Sequence, residues 1–262
     1  MDDVLRSTVL GALGVSHGFN LRTGGVSTGP YASFNLGRSV GDDPSAVATN
    51  LERFAHALCI EPPFLFETGQ VHGAAVRVIE HGEDPTRVRA EEADALATCQ
   101  GGVAVGIRVA DCVPVLLIDA ATGAVAAAHA GWRGVTQAVV LQALQSMLRL
   151  GGDGARVKDV RAAIFPHIRV CCFEVGEEVA EPLAGCASLV KAPPGAIDRT
   201  RPKPHVNLAA IVRAQLSGAG VPIDQIDDVP GCTRCEPERF FSFRRDGQRS
   251  GRHVAAIVAP KR

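Results

Sequence analysis

The stretch IRVADCVPVLLID (107–119), followed by AVAAAHAGWRG (124–134), decides how this chain folds. Ile107 to Ile118 is an apolar run that predicts a buried strand. Val125 to Ala128 predicts a second, closed by His129 and by glycine-rich turn chemistry. Gly134 then opens a helix. Val140, Leu141, Leu144, Met147 and Leu148 share one apolar face of it, and Gly151-Gly152 stops it.

Toward the N-terminus, Val71 to Ile79 predicts another strand. Asp43-Pro44 starts a helix with Ala46, Val47, Leu51, Phe54 and Leu58 on one face. His17 to Gly41, dense in Gly, Ser, Thr and Asn, predicts a long ordered loop with tight turns. Toward the C-terminus, Val160 to Phe165 predicts a strand, Gly176 to Leu183 a helix, and Lys191 to Pro204 an exposed connection. Leu208 to Leu216 predicts a helix ending at Gly218; Phe240 to Arg244 and Val254 to Val258 predict the closing strands. Strands and helices mix without regular alternation, which predicts a mixed-sheet α/β architecture rather than a dinucleotide-binding fold or a barrel.

The 262 residues suffice for one large domain or two small ones, and 46% apolar with 21% charged residues is ordinary globular composition. A net charge of −1 gives no overall electrostatic reason to bind nucleic acid or anionic lipid. Arg244, Arg245, Arg249 and Arg252, then Lys261 and Arg262, form a local basic cluster. Met1-Asp2-Asp3 lacks the basic start of a secretory signal, and no apolar run is long enough to cross a bilayer. These features predict a cytoplasmic protein whose eight cysteines are thiols. Cys59, Cys99 and Cys186 read as small apolar residues.

His72 in Gln-Val-His-Gly, Cys112 and His129 read together as one open metal site. Two imidazoles and a thiolate suit zinc, and three protein ligands leave a fourth position for water or substrate. Each stands at a strand or turn boundary beside Gly or Pro, where clefts form. Taken singly, each is more often a core cysteine or a hydrogen-bonded structural histidine; only the context raises the reading. Asp111 is placed to orient a ligand or to cap a turn. Cys232-Thr233-Arg234-Cys235 has the spacing of half a zinc knuckle, but Cys171-Cys172 lacks the spacing of a second half, so the Cys-x-x-Cys at 232–235 reads as structural. Asp94, after Glu91 and Glu92, reads as part of a solvated acidic face. Arg22 with Gly24-Gly25, and Arg133 after Trp132, suit phosphate binding, although no nucleotide fingerprint is present.

At HGFNLRTGGVSTGPYASFNLG (17–37), GDDP (41–44), QVHG (70–73), ADCVPVLLID (110–119), AAHAGWRG (127–134), CCFEVGEEV (171–179) and CTRCEPERFFSFRRDGQRSGR (232–252), the chain resembles the YfiH-like family. Its members are called both polyphenol oxidases and purine nucleoside phosphorylases. The resemblance implies a single domain over 1–262, a mixed-sheet α/β sandwich, and zinc on His72, Cys112 and His129. It implies phosphorolysis of adenosine, inosine, guanosine or methylthioadenosine with inorganic phosphate, and deamination of adenosine. Two places depart from the family pattern. Ile164-Phe165-Pro166-His167-Ile168-Arg169-Val170 lacks two glycines usual there, and Asn207 replaces an acid at a helix start.

With this chemistry, Cys112, His72, His129 and Asp111 are the expected catalytic residues. Arg22, Asn35, Arg133, Phe241, Ser242 and Arg244 are the expected substrate contacts, with Phe240, Phe241 or Phe243 stacking on the base. Two alternatives use the same residues. One is a copper-dependent polyphenol oxidase (laccase), since copper binds such donors more tightly than zinc; for that reason copper loading in vitro does not settle function. The eight histidines contain no His-x-His pair, which counts against a multicopper cluster. The other is a cysteine amidase editing cell-wall precursors, with Cys112 as nucleophile.

Overall fold

Alternation along the central strands sorts their side chains into layers. The computed structural model describes residues 3–261. Met1 and Asp2 of the acidic start and Arg262 of the basic cluster lie outside the described residues. The strands are β1 (Val4–Leu5), β2 (His17–Asn20), β3 (Leu65–Phe66), β4 (Val76–Val78), β5 (Ala95–Thr98), β6 (Ala104–Val109), β7 (Val113–Asp119), β8 (Val125–Ala130), β9 (Val160–Ile164), β10 (Ile197–Asp198), β11 (His205–Val206), β12 (Ile226–Asp228) and β13 (His253–Val258). The helices are α1 (Thr8–Gly11), α2 (Pro44–Ala57), α3 (Pro85–Val88), α4 (Trp132–Thr136), α5 (Val139–Gly151), α6 (Glu177–Leu189), α7 (Leu208–Gly218) and α8 (Phe243–Asp246).

Two mixed sheets form the body, in the orders β1-β2-β13-β6-β3 and β12-β9-β7-β8-β5-β4. Ile107, Val109, Ala255 and Ile257 of the first sheet meet Leu96, Leu116, Ile118, Val125 and Ala127 of the second in one buried layer with Phe19 and Phe165. The intervening residues face outward. Val113, Val115, Leu117, Ala126 and Ala128 pack under α5 and α7 through Val140, Leu144, Met147, Ile211 and Val212. On the far side, Val254 and Ala256 pack with Phe54 and Leu58 at α2. The result is a four-layer α/β sandwich. Each large apolar side chain buried in it contributes roughly 1.5–3 kcal/mol. No helix among the described residues is long and apolar enough to cross a membrane.

The apolar run 107–118 is two strands, not one. β6 lies in the first sheet and β7 in the second, so the chain must cross between layers at Ala110-Asp111-Cys112. Asp111 takes a positive φ of 91° to make that crossing. The strand expected over Val71–Ile79 shrinks to β4, and His72 stands in a turn with φ 61°. The helix expected from Gly134 begins at Trp132 and breaks at Ala138, whose φ is 57°, so α4 and α5 are separate. His17–Asn20, expected in a loop, is β2, paired with β1 and β13.

The helix expected over Gly176–Leu183 runs on to Leu189 as α6. Phe240–Arg244 is not a strand. Phe240 and Phe241 are fully buried, and Ser242 caps α8 by accepting from the Arg245 N–H at 3.3 Å. Cys59 and Cys99 are exposed rather than packed. Asn207 caps α7, accepting from the Ala210 N–H at 3.1 Å, so the departure from an acid keeps the helix start intact.

Candidate active site

Strand register builds the site around a residue that had read as part of a solvated face. In the antiparallel pair of β5 and β8, Ala95 lies opposite Ala128; one step further, Asp94 faces His129. The His129 N–H donates to the Asp94 carbonyl at 2.8 Å, and His129 Nδ1 bonds Asp94 Oδ1 at 2.7 Å. Asp94 is fully buried. Its carboxylate also accepts the backbone N–H groups of Val71 (3.1 Å), His72 (2.9 Å) and Gly73 (2.7 Å). One carboxylate therefore orients the His129 ring and holds the strained turn that carries His72. Burial pushes Asp94 up, but His129 and these N–H groups outweigh it and keep the carboxyl below its ordinary range. Asp94 stands alone in Ala-Asp-Ala-Leu-Ala, an acid inside an apolar run, and that was the signal for a buried role.

Cys112 follows the interlayer crossing and is half-buried. The donor atoms of His72, Cys112 and His129 all lie within 4.8 Å of one another, with Cys112 Sγ 3.9 Å from His72 Nε2. The His72 and His129 rings meet edge to face at 4.8 Å. Gly131 permits this approach: a Cβ there would come 2.9 Å from His72 Cδ2 and 3.2 Å from Cys112 Sγ. Burial pushes the Cys112 thiol up, but the charge and hydrogen bond of His129, with His72, bring it down to about 6. Burial likewise opposes a charged His129, yet Cys112 and Asp94 push it up to about 9. Both shifts favour a thiolate beside an imidazolium, with the Asp94 carboxylate behind the ring. The same donors fit a divalent metal. Asp94 occupies His129 Nδ1 and leaves Nε2 for coordination, and His72 Nε2 already faces Cys112.

These three residues line a cleft of about 580 Å³. Arg38, Arg108, Arg244 and Arg252 also line it, as do Phe173 and Phe243. Glu67, buried, pairs with Arg108 and lies 3.8 Å from Arg38. Asp111 accepts Thr233 Oγ1 and the Arg244 N–H, both at 2.6 Å, so it secures the cleft wall beside Cys112. Four guanidinium groups face two carboxylates already engaged, which makes the cleft favourable to anions.

The expected substrate contacts divide. Arg244 lines the cleft; its guanidinium donates to the Glu174 carbonyl at 2.8 Å and stacks over Phe173 at 5.4 Å. Arg22 instead donates to the Ala32 carbonyl at 2.8 Å and lies over the Phe241 ring at 4.9 Å. Asn35 is fully buried, bonded to Gly37, Asp42 and the Arg252 N–H. Phe241 and Ser242 are fully buried in the frame, and Arg133 is exposed, stacked on Trp132 at 4.6 Å. None of these five lines the cleft. Arg38, Arg108 and Arg252 are the cleft-lining arginines that the expected contacts did not include. They lie far apart in the chain, and no motif spacing joins them.

A family model described as "Multi-copper polyphenol oxidoreductase laccase" matches residues 16–260. The chain belongs to this family. It is 40% identical over 245 residues to a purine nucleoside phosphorylase of Corynebacterium glutamicum, covering 93% of this chain and 94% of that protein. It is 36% identical over 236 residues to adenosine deaminase RL5 of an unknown prokaryotic organism, covering 87% of each. The crystal structure of YlmD from Geobacillus stearothermophilus superposes with a TM-score of 0.82 at 32% identity, covering 95% of this chain and 93% of that one. The YfiH-like membership and the mixed α/β sandwich expected from the sequence both hold.

The second cysteine group supplies a pairing that sequence spacing did not show. Cys171, Cys172, Cys232 and Cys235 bring four sulfur atoms within 4.8 Å of one another, although Cys171-Cys172 lacks the spacing of a knuckle half. The fold supplies the second pair by bringing two distant loops together, with His167 bridged to Cys232.

Proposed function

We propose that this protein is a cytoplasmic purine nucleoside phosphorylase, acting on adenosine, inosine, guanosine and methylthioadenosine, with adenosine deaminase activity. The observation that carries the reading is a three-donor His–Cys–His set at a cleft that also presents four arginines. His72, Cys112 and His129 would hold zinc, which when bound supplies Lewis acidity at its open position. The family relatives named for phosphorolysis and for adenosine deamination support the choice of nucleosides.

The chain's own residues then have distinct tasks. Arg38, Arg108, Arg244 and Arg252 bind and orient inorganic phosphate; this role moves to the cleft arginines from Arg22 and Arg133, which do not line the cleft. Phe243, exposed at 48%, and Phe173 offer ring faces to a purine, a task that buried Phe240 and Phe241 cannot perform. Asp94 fixes the His129 tautomer, and Asp111 fixes the wall that carries Arg244.

A second reading has its own support. Cys112, His129 and Asp94 stand in the order nucleophile, base, orienting acid, with the thiol already lowered to about 6. That arrangement suits a cysteine amidase. The laccase reading suffers from donor supply: both ring nitrogens of His17 and of His253 are taken by backbone groups, their Nε2 atoms accepting the Ser7 and Phe241 N–H groups.

Mass-spectrometric product analysis tests the reading. Zinc-loaded protein is incubated with adenosine, with and without phosphate. Adenine and ribose 1-phosphate are expected only with phosphate, and inosine in both. Neither product, with release of an amino acid from a peptidoglycan precursor, would replace this reading by the amidase. Oxygen uptake with phenols would replace it by the oxidase. Arg38→Ala and Arg252→Ala are expected to raise the phosphate KM about tenfold, the effect of one lost charge-assisted contact.

A further inference from the structure

The four-cysteine cluster lies apart from the His–Cys–His set and has no task in the chemistry above. Cys171 and Cys172 sit in the turn after Arg169 and Val170; Cys232 and Cys235 flank Thr233-Arg234 in a second turn. Sγ of Cys171 lies 3.7 Å from that of Cys232 and 3.6 Å from that of Cys235, and Cys172 Sγ lies 3.2 Å from Cys235 Sγ. Four thiolates around one zinc at about 2.3 Å stand about 3.8 Å apart along the tetrahedron's edges. The sulfurs are therefore already near a mononuclear tetrahedral arrangement. They are too close together to enclose an iron–sulfur cluster, in which several metal atoms separate the cysteine sulfurs.

The surroundings also suit a bound tetrathiolate. The backbone N–H groups of Arg169, Arg234 and Cys235 point at the Cys232 sulfur, and the Arg234 side chain bonds that of Cys172. Arg169 ties the two loops, donating to the Gly231 carbonyl at 3.0 Å and the Val229 carbonyl at 2.9 Å. The Cys232 N–H donates to Glu236 Oε1 at 2.7 Å. The Arg234 guanidinium offsets part of the excess negative charge that four thiolates leave on a divalent ion, while Arg169 is paired with Asp228 at 2.7 Å. Hard cations prefer oxygen donors, so an all-sulfur set selects zinc among common divalent ions.

We propose that Cys171, Cys172, Cys232 and Cys235 bind a second, structural zinc ion. Its closed four-ligand shell leaves no position for substrate. Its task is positional. Thr233, inside the knuckle, donates to Asp111 beside Cys112, and Phe173, next to Cys172, lines the cleft. The ion pins two loops that make one cleft wall.

The test uses the full chain, purified with reductant and zinc and then dialysed against metal-free buffer. Cys112→Ala removes a donor of the open site only. It is expected to keep one zinc per chain by elemental analysis, with four sulfurs at about 2.3 Å by X-ray absorption at the zinc edge. Cys232→Ser in that background is expected to lose the ion. A Cys112→Ala protein that keeps no zinc, or keeps it on nitrogen and oxygen, overturns the proposal. Because Cys232→Ser can impair folding, a cobalt replacement on the otherwise native chain gives a second readout. Wild type and Cys112→Ala should show thiolate-to-cobalt charge-transfer bands of similar intensity. Bands that vanish in Cys112→Ala would assign all the metal to the open site and overturn the second one. Failure of the open site alone leaves the four-sulfur signal unchanged.

Discussion

The chain gathers cysteine sulfur in two places, and the two are built oppositely. Around Cys112 the donors are mixed, two imidazoles and one thiol, and the fourth side faces a cleft. Around Cys232 the donors are four sulfurs from two loops, and they close on one another. The first is oriented by a buried carboxylate, Asp94, through strand register. The second is held by backbone N–H groups and arginines in irregular turns. The difference teaches that one buried carboxylate at the start of a strand can orient a mixed donor set and leave one side open, whereas two meeting loops close on themselves.

The hardest blow to this contrast is Cys112→Ala. Loss of one of three donors is expected to lower nucleoside turnover by more than about 100-fold, beyond the usual 10–100-fold cost of a supporting group. The melting temperature should move only a few degrees, because alanine is also small and apolar. Near-wild-type turnover would reduce Cys112 to a packing residue.

Asp94→Asn comes next. It keeps the shape but removes the charge that serves His129 and three N–H donors. Turnover or metal affinity should fall about 10–100-fold. An unaffected variant would show that the strand frame alone sets the site.

A smaller but sharper effect is one of pH on the metal-free protein. The Cys112 thiol is lowered to about 6 and His129 raised to about 9. A lowered thiol contributes stability that is lost as pH falls through about 6. A raised imidazole contributes stability that is lost as pH rises through about 9. The ion pair therefore persists between those values. Iodoacetamide labelling of Cys112, followed by peptide mass analysis, should rise through pH 6. Labelling that rises only near the ordinary thiol value of about 8.5 would mean no such pair exists.

Thr233→Val cuts the link between the two sulfur regions at its bond to Asp111. We expect a loss of about 1 kcal/mol in unfolding free energy and a several-fold rise in nucleoside KM. No change in KM would detach the knuckle from the cleft wall. The smallest effect is expected for Arg133→Ala, within about 0.5 kcal/mol in chemical denaturation and with phosphate KM unchanged, since Arg133 is exposed outside the cleft. A large rise in phosphate KM would return it to the site.

Local pattern carried much of the architecture and part of the site. The apolar runs near 107–118 and 125–128, the face of Val140 to Leu148 and the glycine stops at 151–152 were enough to expect mixed strands and helices. His72, Cys112 and His129 were legible as a ligand set because zinc chemistry restricts donor types, and the resemblance of their motifs led to the same set. What the sequence could not reveal depended on distance in the chain. The crossing at Asp111 between two sheets leaves no break in hydrophobicity, because both strands are buried. Asp94 looked solvated beside Glu91 and Glu92 until register set it opposite His129. Arg38, Arg108, Arg244 and Arg252 meet in one cleft, and Cys171-Cys172 meets Cys232 and Cys235, only after the sheets have packed. Side-chain type and local period are properties of neighbours in sequence; convergence of charges and sulfurs belongs to the tertiary fold, which brings distant loops within bonding range.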